Sequence, residues 1–207
     1  MKRNTKELIL TESLKLFSVK GYEGVSVRDI AEKLEIKQSS LYKHYSGKKD
    51  IFENIVKKMN EDFNMKMQEL KVPGGNFADM AEGYKAMSFK DIAEIGRSLF
   101  IYWTQNEFAV AFRKMLMLEQ YKDSEIKELY QNYVLTGTLK YQEQLFYEMI
   151  KEGIFIEADP ALMALDFYGP IFTLINCSDI DTYKSQEEIM AIMDKHMKHF
   201  SEVYERK

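Results

Sequence analysis

The feature that most narrows what this chain can fold into is a pair of short helical runs joined by only three residues. Ser26 opens the first run, with Asp29 three positions on to complete a capping box, and Val27, Ile30, Ala31 and Leu34 share an apolar face. Beyond Glu35-Ile36-Lys37 the second is expected from Gln38 to Tyr45, carrying Leu41 and Tyr45 inward at i, i+4. Its other side is Gln38, Ser39, Tyr42 and Lys43.

The rest of the chain is punctuated in the same manner. A first helix runs from Thr5 to Lys20, with Asn4 and Glu7 spaced as a capping box, Gly21 as its stop, and Ile9, Leu10, Leu14 and Phe17 as its stripe. A fourth runs from Lys48 to Leu70, capped at Gly47 with Asp50 at the third helical position, and Val72-Pro73-Gly74-Gly75-Asn76 breaks it. Further helices are expected near 77–88, 91–106, 107–120, 124–152, 159–177 and 185–205, with Gly153 as a C-cap and Asp159-Pro160 as N-cap and first helical residue. Ten glycines and three prolines in 207 residues favour long helices over short strands and tight turns, so the fold class is all-α. The expected division is a three-helix head at 1–50, a connecting helix at 48–70, and a helical C-terminal domain at 71–207.

Charge is unevenly placed. Residues 1–58 hold thirteen Lys/Arg against eight Asp/Glu, net +5, while the remainder holds sixteen against twenty-five, net −9. A basic head on an acidic body points to an anionic partner at the N-terminal end, or to a solvated face. Cys177 is the single cysteine, which excludes an internal disulfide and suits a reducing cytoplasm; it reads as a small buried hydrophobe or a sensor thiol. Glu7, Glu12 and Lys15 interrupt any apolar leader, and no uncharged apolar run is long enough to span a membrane.

Two short helices with a tight turn, the second showing small polar, aromatic and basic groups, have the geometry of a reader of the DNA major groove. Gln38, Ser39 and Ser40 offer amide and hydroxyl groups to base edges. Tyr42, Lys43, Lys48 and the free N–H groups at the starts of the second and fourth helices suit phosphates. Read in order, Ile9-Leu10, Leu14, Leu16-Phe17, Gly21-Tyr22, Ser26-Val27-Arg28-Asp29-Ile30-Ala31, Leu41-Tyr42, His44-Tyr45, Lys48 and Ile51 resemble the DNA-binding head of the tetracycline-repressor (TetR) family. The resemblance covers about a quarter of the chain. It implies a homodimeric repressor with the third helix in the major groove of a palindromic operator, and a C-terminal domain that pairs the subunits and encloses a small-molecule effector. Its DNA-binding residues would be Ser26, Arg28, Lys37, Gln38, Ser39, Ser40, Tyr42, Lys43, His44 and Lys48. Arg28 alternatively forms a surface ion pair, and His44 alternatively packs. The family usually has Gly where Glu35 stands, Ser where Lys37 stands, and Ser where Gly47 stands. A left-handed Glu35 would cost about 1 to 2 kcal/mol, and Lys37 trades a helix cap for a phosphate contact.

In the C-terminal part, Trp103, Met115, Tyr133 and Phe172 are the candidate effector contacts within a surplus of Met and aromatic residues. Glu94, Glu119 and Asp166 in apolar surroundings leave room for a cationic ligand. The last two helices resemble half of a four-helix dimer interface, with Phe167 and Ile171 on one and Ile189, Met193, His196 and Phe200 on the other, or they close this chain's own core. No hydrolase, P-loop, zincin or dinucleotide motif is present, and His196 and His199 lack a third ligand, so neither catalysis nor a cofactor or metal is expected. The alternatives are a helical ligand-binding or membrane-surface protein without sequence-specific DNA binding, and an enzyme of unrecognised type.

Overall fold

The computed structural model describes residues 5–180 and 182–206. Among these, eleven α-helices form, no strand, and one two-residue bridge between Phe155 and Glu205. None of the helices is long and apolar enough to cross a membrane. The chain divides into two compact units, residues 1–67 with 106–130, and residues 68–105 with 131–207.

In the first unit, α1 (Thr5–Lys20) buries Ile9, Leu10, Leu14 and Phe17. Asn4, the expected cap, lies outside the described residues. The short helix α2 (Val27–Lys33) carries the expected box, in which the Ser26 side chain accepts from the Asp29 N–H and the Asp29 carboxylate accepts from the Ser26 N–H. It ends in a Schellman motif: Ile36 N–H donates to Ala31 O at 3.0 Å and Glu35 N–H to Glu32 O at 3.1 Å. Closing that motif puts Glu35 at φ 55°, the left-handed conformation a glycine adopts without strain. The third helix is shorter than expected: α3 covers Gln38–Leu41, and the chain continues to Tyr45 as turns held by the Leu41 carbonyl. Helix α4 spans Lys48–Glu69. Asp50 Oδ2 accepts from Ser46 N–H at 2.7 Å, so the capping carboxylate closes on the residue before Gly47 rather than on Gly47 itself.

Residues 106–130 belong with these helices and not with the remainder of the segment that follows the Val72–Asn76 break. Helix α7 (Glu107–Glu119) packs along α1, burying Ala109, Phe112, Met115 and Leu116, and the start of α8 (Ser124–Val134) follows it.

The second unit is built from α5 (Phe77–Lys85), α6 (Phe89–Gln105), α9 (Thr136–Lys151), α10 (Pro160–Cys177) and α11 (Gln186–Tyr204). The single helix expected over 124–152 is broken at Leu135 (φ −131°, ψ −95°). Gly137 permits the break, because a β-carbon there would stand 2.2 Å from Asn132 O. Carbonyls around the break accept from side chains: Tyr168 Oη–H donates to Val134 O at 2.7 Å, and the hydroxyls of Thr136 and Thr138 donate to Gln131 O and Tyr133 O.

Most of the residues expected at a seam between two copies pack within this chain's own core. Ile171, Ile189, Met193 and Phe200 are buried in the core that α10 and α11 share, and the half-buried His196 has its Nε2 2.8 Å from Phe167 O. The apolar stripe on α11 meets the apolar side of α10 within the same chain. What α10 leaves outside is a different face, with Leu162 60% and Leu165 52% exposed, Asp166 and Thr173 beside them, and nothing near Gly169. Cys177 is half-buried at the end of that helix.

Candidate nucleic-acid interface

Leu41 and Tyr45 anchor the α3 segment. Both are buried, and Tyr45 Oη donates to Lys6 O on α1 at 3.1 Å. Burial, with a smaller contribution from Asp50, pushes the Tyr45 phenol up to about 12, so it stays protonated and keeps donating. With these two side chains held inward, helical geometry turns the others out. Gln38, Ser39, Tyr42, Lys43 and His44 are exposed, Tyr42 by 53%, and Ser40 is half-exposed. Lys37 stands at the N-cap with no capping hydrogen bond from its side chain. Among the described residues the side chains from Lys37 to Ser40 and from Tyr42 to His44 make no hydrogen bond or ion pair, so amide, hydroxyl, phenol and ammonium groups stand free along one surface.

The remaining candidates are engaged. Ser26 Oγ donates to Asp29 Oδ2 and accepts from the Asp29 N–H, so its hydroxyl serves the cap. Those bonds, first from the Ser26 hydroxyl and then from its backbone N–H, hold the Asp29 carboxyl below the usual range. Arg28 Nε pairs with Glu32 Oε1 at 2.9 Å on an open surface. Such an exposed pair contributes about 1 kcal/mol at most, and phosphate can outcompete it.

Lys48 is the least free. Its Nζ donates to Tyr22 O at 3.0 Å, lies 4.2 Å from the centre of the Tyr22 ring, and has Glu23 Oε1 at 4.0 Å. Tyr22 in turn is wedged between Phe17 and Phe52, with ring centres 5.3 and 5.2 Å away. Burial, then the carboxylates of Glu23, Asp123 and Glu125, raise its phenol's pKa. An ammonium has three N–H donors, and only one is taken here. Tyr22 is the residue that sequence reasoning missed. Its place after Gly21 was legible, but nothing in the spacing showed that its carbonyl and ring would meet a side chain 26 residues away.

The effector candidates divide between the two units, with Trp103 and Phe172 packed against one core cluster of the second. Met115 is 0% exposed in the core of the first unit, where α1 covers it, whereas Trp103, Tyr133 and Phe172 are half-buried in the second. Trp103 stacks edge-on against Tyr102 at 5.6 Å. Of the three carboxylates, Glu119 is buried in the first unit, while in the second Glu94 is exposed and the exposed Asp166 accepts from Tyr204 Oη.

Residues 9–55 match the family described as bacterial regulatory proteins, tetR family. The same region is similar to the biofilm operon icaADBC HTH-type negative transcriptional regulator IcaR of Staphylococcus aureus, 46% identical over 52 residues, which are 25% of this chain and 28% of that protein. Its counterpart in Staphylococcus epidermidis is 41% identical over 51 residues. The chain therefore matches little more than a quarter of the length of these curated relatives. Whole-chain likeness is structural. A TetR family transcriptional regulator from Pseudomonas syringae pv. tomato superimposes with TM-score 0.66 over 100% of both chains at 14% identity. The ketosteroid transcriptional regulator KstR2 of Mycobacterium tuberculosis does so with TM-score 0.65 over 100% of this chain and 98% of that one at 13% identity. At such identities the likeness establishes the fold.

Proposed function

The head of this chain belongs to the tetR family of bacterial regulatory proteins, and on that premise we propose that the protein is a homodimeric, cytoplasmic transcriptional repressor released from a palindromic operator by a small-molecule effector. The observation that carries the reading is the unoccupied row Gln38, Ser39, Tyr42, Lys43 and His44, projected by a segment whose Leu41 and Tyr45 are locked into the head. Amide and hydroxyl groups read base edges, while Tyr42, Lys43 and the N-terminus of α4 with Lys48 hold phosphates. The net +5 of residues 1–58 strengthens the attraction to DNA. Repression, rather than activation, is suggested by IcaR, which is named a negative regulator.

Two copies pair through the exposed face of α10, with Leu162, Leu165, Gly169 and Thr173, and not through the buried seam. Pairing sets the recognition segments about 34 to 36 Å apart, one turn of DNA. The effector binds in the second unit near Trp103, Tyr133 and Phe172, and prefers an arrangement in which that spacing is lost.

Footprinting on the DNA upstream of the protein's own gene tests this reading. A protected palindrome at moderate salt supports it. Protection of no segment, together with binding to anionic vesicles, overturns it in favour of a membrane-surface role for the basic head.

A further inference from the structure

Glu119, the last residue of α7, is 0% exposed, yet only one of its carboxylate oxygens has a partner: Oε1 receives Lys122 Nζ at 3.1 Å, and Oε2 receives nothing among the described residues. A buried carboxylate left half-satisfied is unfavourable for folding, so its retention calls for a reason. Its position supplies one. Oε1 occupies the space directly above Gly21, where a β-carbon would stand 2.0 Å from it and 3.1 Å from Cδ. Gly21 sits at φ 76° and ends α1, its N–H bonded to Phe17 O at 2.9 Å. The two residues are therefore fitted to each other: only a glycine leaves room for the carboxylate, and the carboxylate fills what the glycine leaves.

The next residue is Tyr22, whose carbonyl and ring hold the Lys48 ammonium at the start of α4. On the far side the α7–α8 turn folds around Glu119, with the N–H groups of Lys122 and Asp123 both donating to its carbonyl at 2.9 and 3.1 Å. Backbone and side chain of Glu119 are thus both fixed.

We infer that Glu119 is a positioning residue for DNA binding: seated over Gly21, it fixes the Gly21-Tyr22 turn, and through Tyr22 it fixes the Lys48 ammonium against the phosphate backbone. The inference rests on the proposed DNA-binding role. It assigns to an α7 side chain, remote in sequence from the head, the placing of one phosphate contact.

The test is binding of a fluorescently labelled DNA duplex of mixed sequence by the full-length protein across a range of salt, with Glu119→Ala, Glu119→Gln, Lys48→Ala and the Glu119→Ala, Lys48→Ala pair. Loss of one phosphate contact makes the slope of log affinity against log salt shallower by about 0.9, a readout that lowered stability alone does not move. Glu119→Ala is expected to show that change, Glu119→Gln, which keeps the volume and an oxygen over Gly21, to recover most of the slope, and the pair to match Lys48→Ala alone. A wild-type slope in Glu119→Ala, or full additivity in the pair, overturns the inference. If Glu119→Ala does not fold, Lys122→Ala, which removes only the exposed ammonium that fixes Oε1, is expected to give a smaller change of the same sign, and a wild-type slope there overturns it equally. If the unaltered protein shows no salt-dependent duplex binding, the DNA-binding reading itself fails. The internal link is then decided without DNA, by whether Glu119→Gln shifts the amide resonances of Tyr22 and Lys48, unchanged resonances refuting it.

Discussion

The Lys48 ammonium lies 4.2 Å from the centre of the Tyr22 ring and 3.0 Å from the Tyr22 carbonyl oxygen, tying the first residue of α4 to the turn that follows α1. The contact joins two elements beside the candidate nucleic-acid interface. It immobilises the cation of a lysine whose side chain is 23% exposed and leaves N–H donors over, which is what the proposed phosphate contact requires.

Replacing the ring should separate anchoring from packing. Tyr22→Phe keeps the face beneath Lys48 and is expected to unfold in urea near the wild-type midpoint. Tyr22→Ala also loses the contacts with Phe17 and Phe52 and is expected to cost about 2 kcal/mol or more, with DNA affinity falling alongside. Equal midpoints for the two variants would show that the ring packs against nothing of consequence.

On the proposed reading, the exposed row on α3 divides into two kinds of contact. Gln38→Ala is expected to cost about 1 to 3 kcal/mol on the footprinted site and little on mixed-sequence DNA, the mark of a base contact. Lys43→Ala should weaken both alike and make the salt slope shallower by about 0.9. Titrations on the two duplexes at several salt concentrations check both, and identical behaviour of the two variants would refute the division.

Glu35 offers a gain in stability. At φ 55° it holds a conformation that strains every residue with a β-carbon, and among the described residues no salt bridge of its own compensates. Glu35→Gly is expected to stabilise the protein by about 1 kcal/mol, read as a higher urea midpoint at unchanged slope. A lower midpoint would mean that the turn is not held left-handed in solution.

Alkaline pH should loosen the α1–α3 contact. The Tyr45 phenol ionises near 10.0 when unfolded and at about 12 in the fold, so folding favours its protonated form. Its contribution is therefore complete below pH 10 and is lost as pH climbs from 10 through 12. Tyr45→Phe removes this component of the alkaline slope and, by deleting the bond to Lys6 O, costs about 1 kcal/mol at neutral pH. Urea midpoints measured from pH 8 upward decide it; a slope that persists in Tyr45→Phe assigns the loss to other groups.

Much of the head was legible because its determinants are local. The Ser26–Asp29 box, the left-handed turn at Glu35, and the inward placing of Leu41 and Tyr45 each depend on residues a few positions apart. The candidate contacts on α3 were legible for the same reason: once two side chains of a short helix face in, the rest face out. The differences came where partners are distant. Met115 was a candidate ligand contact because a methionine on an apolar face looks alike whether it lines a pocket or fills a core, and it lies buried on α7, which packs on α1. The run 124–152 has helical periodicity throughout, and only the fold-back at Gly137 with the Tyr168 hydroxyl waiting for Val134 O accounts for its break.

Sequence alone determined the all-helical class, the box that starts α2 at Ser26, the stop of α1 before Gly21, and the identity of the side chains shown by α3, since periodicity and capping act within a turn or two of the chain. Tertiary structure alone decided that α7 joins the first unit, that the apolar stripe of α11 is covered by α10 of the same chain, that Lys48 rests on Tyr22, and that Glu119 fills the space above Gly21. The physical reason is that an apolar or charged side chain specifies only that it needs a partner, and which partner it meets depends on packing between elements far apart in the chain.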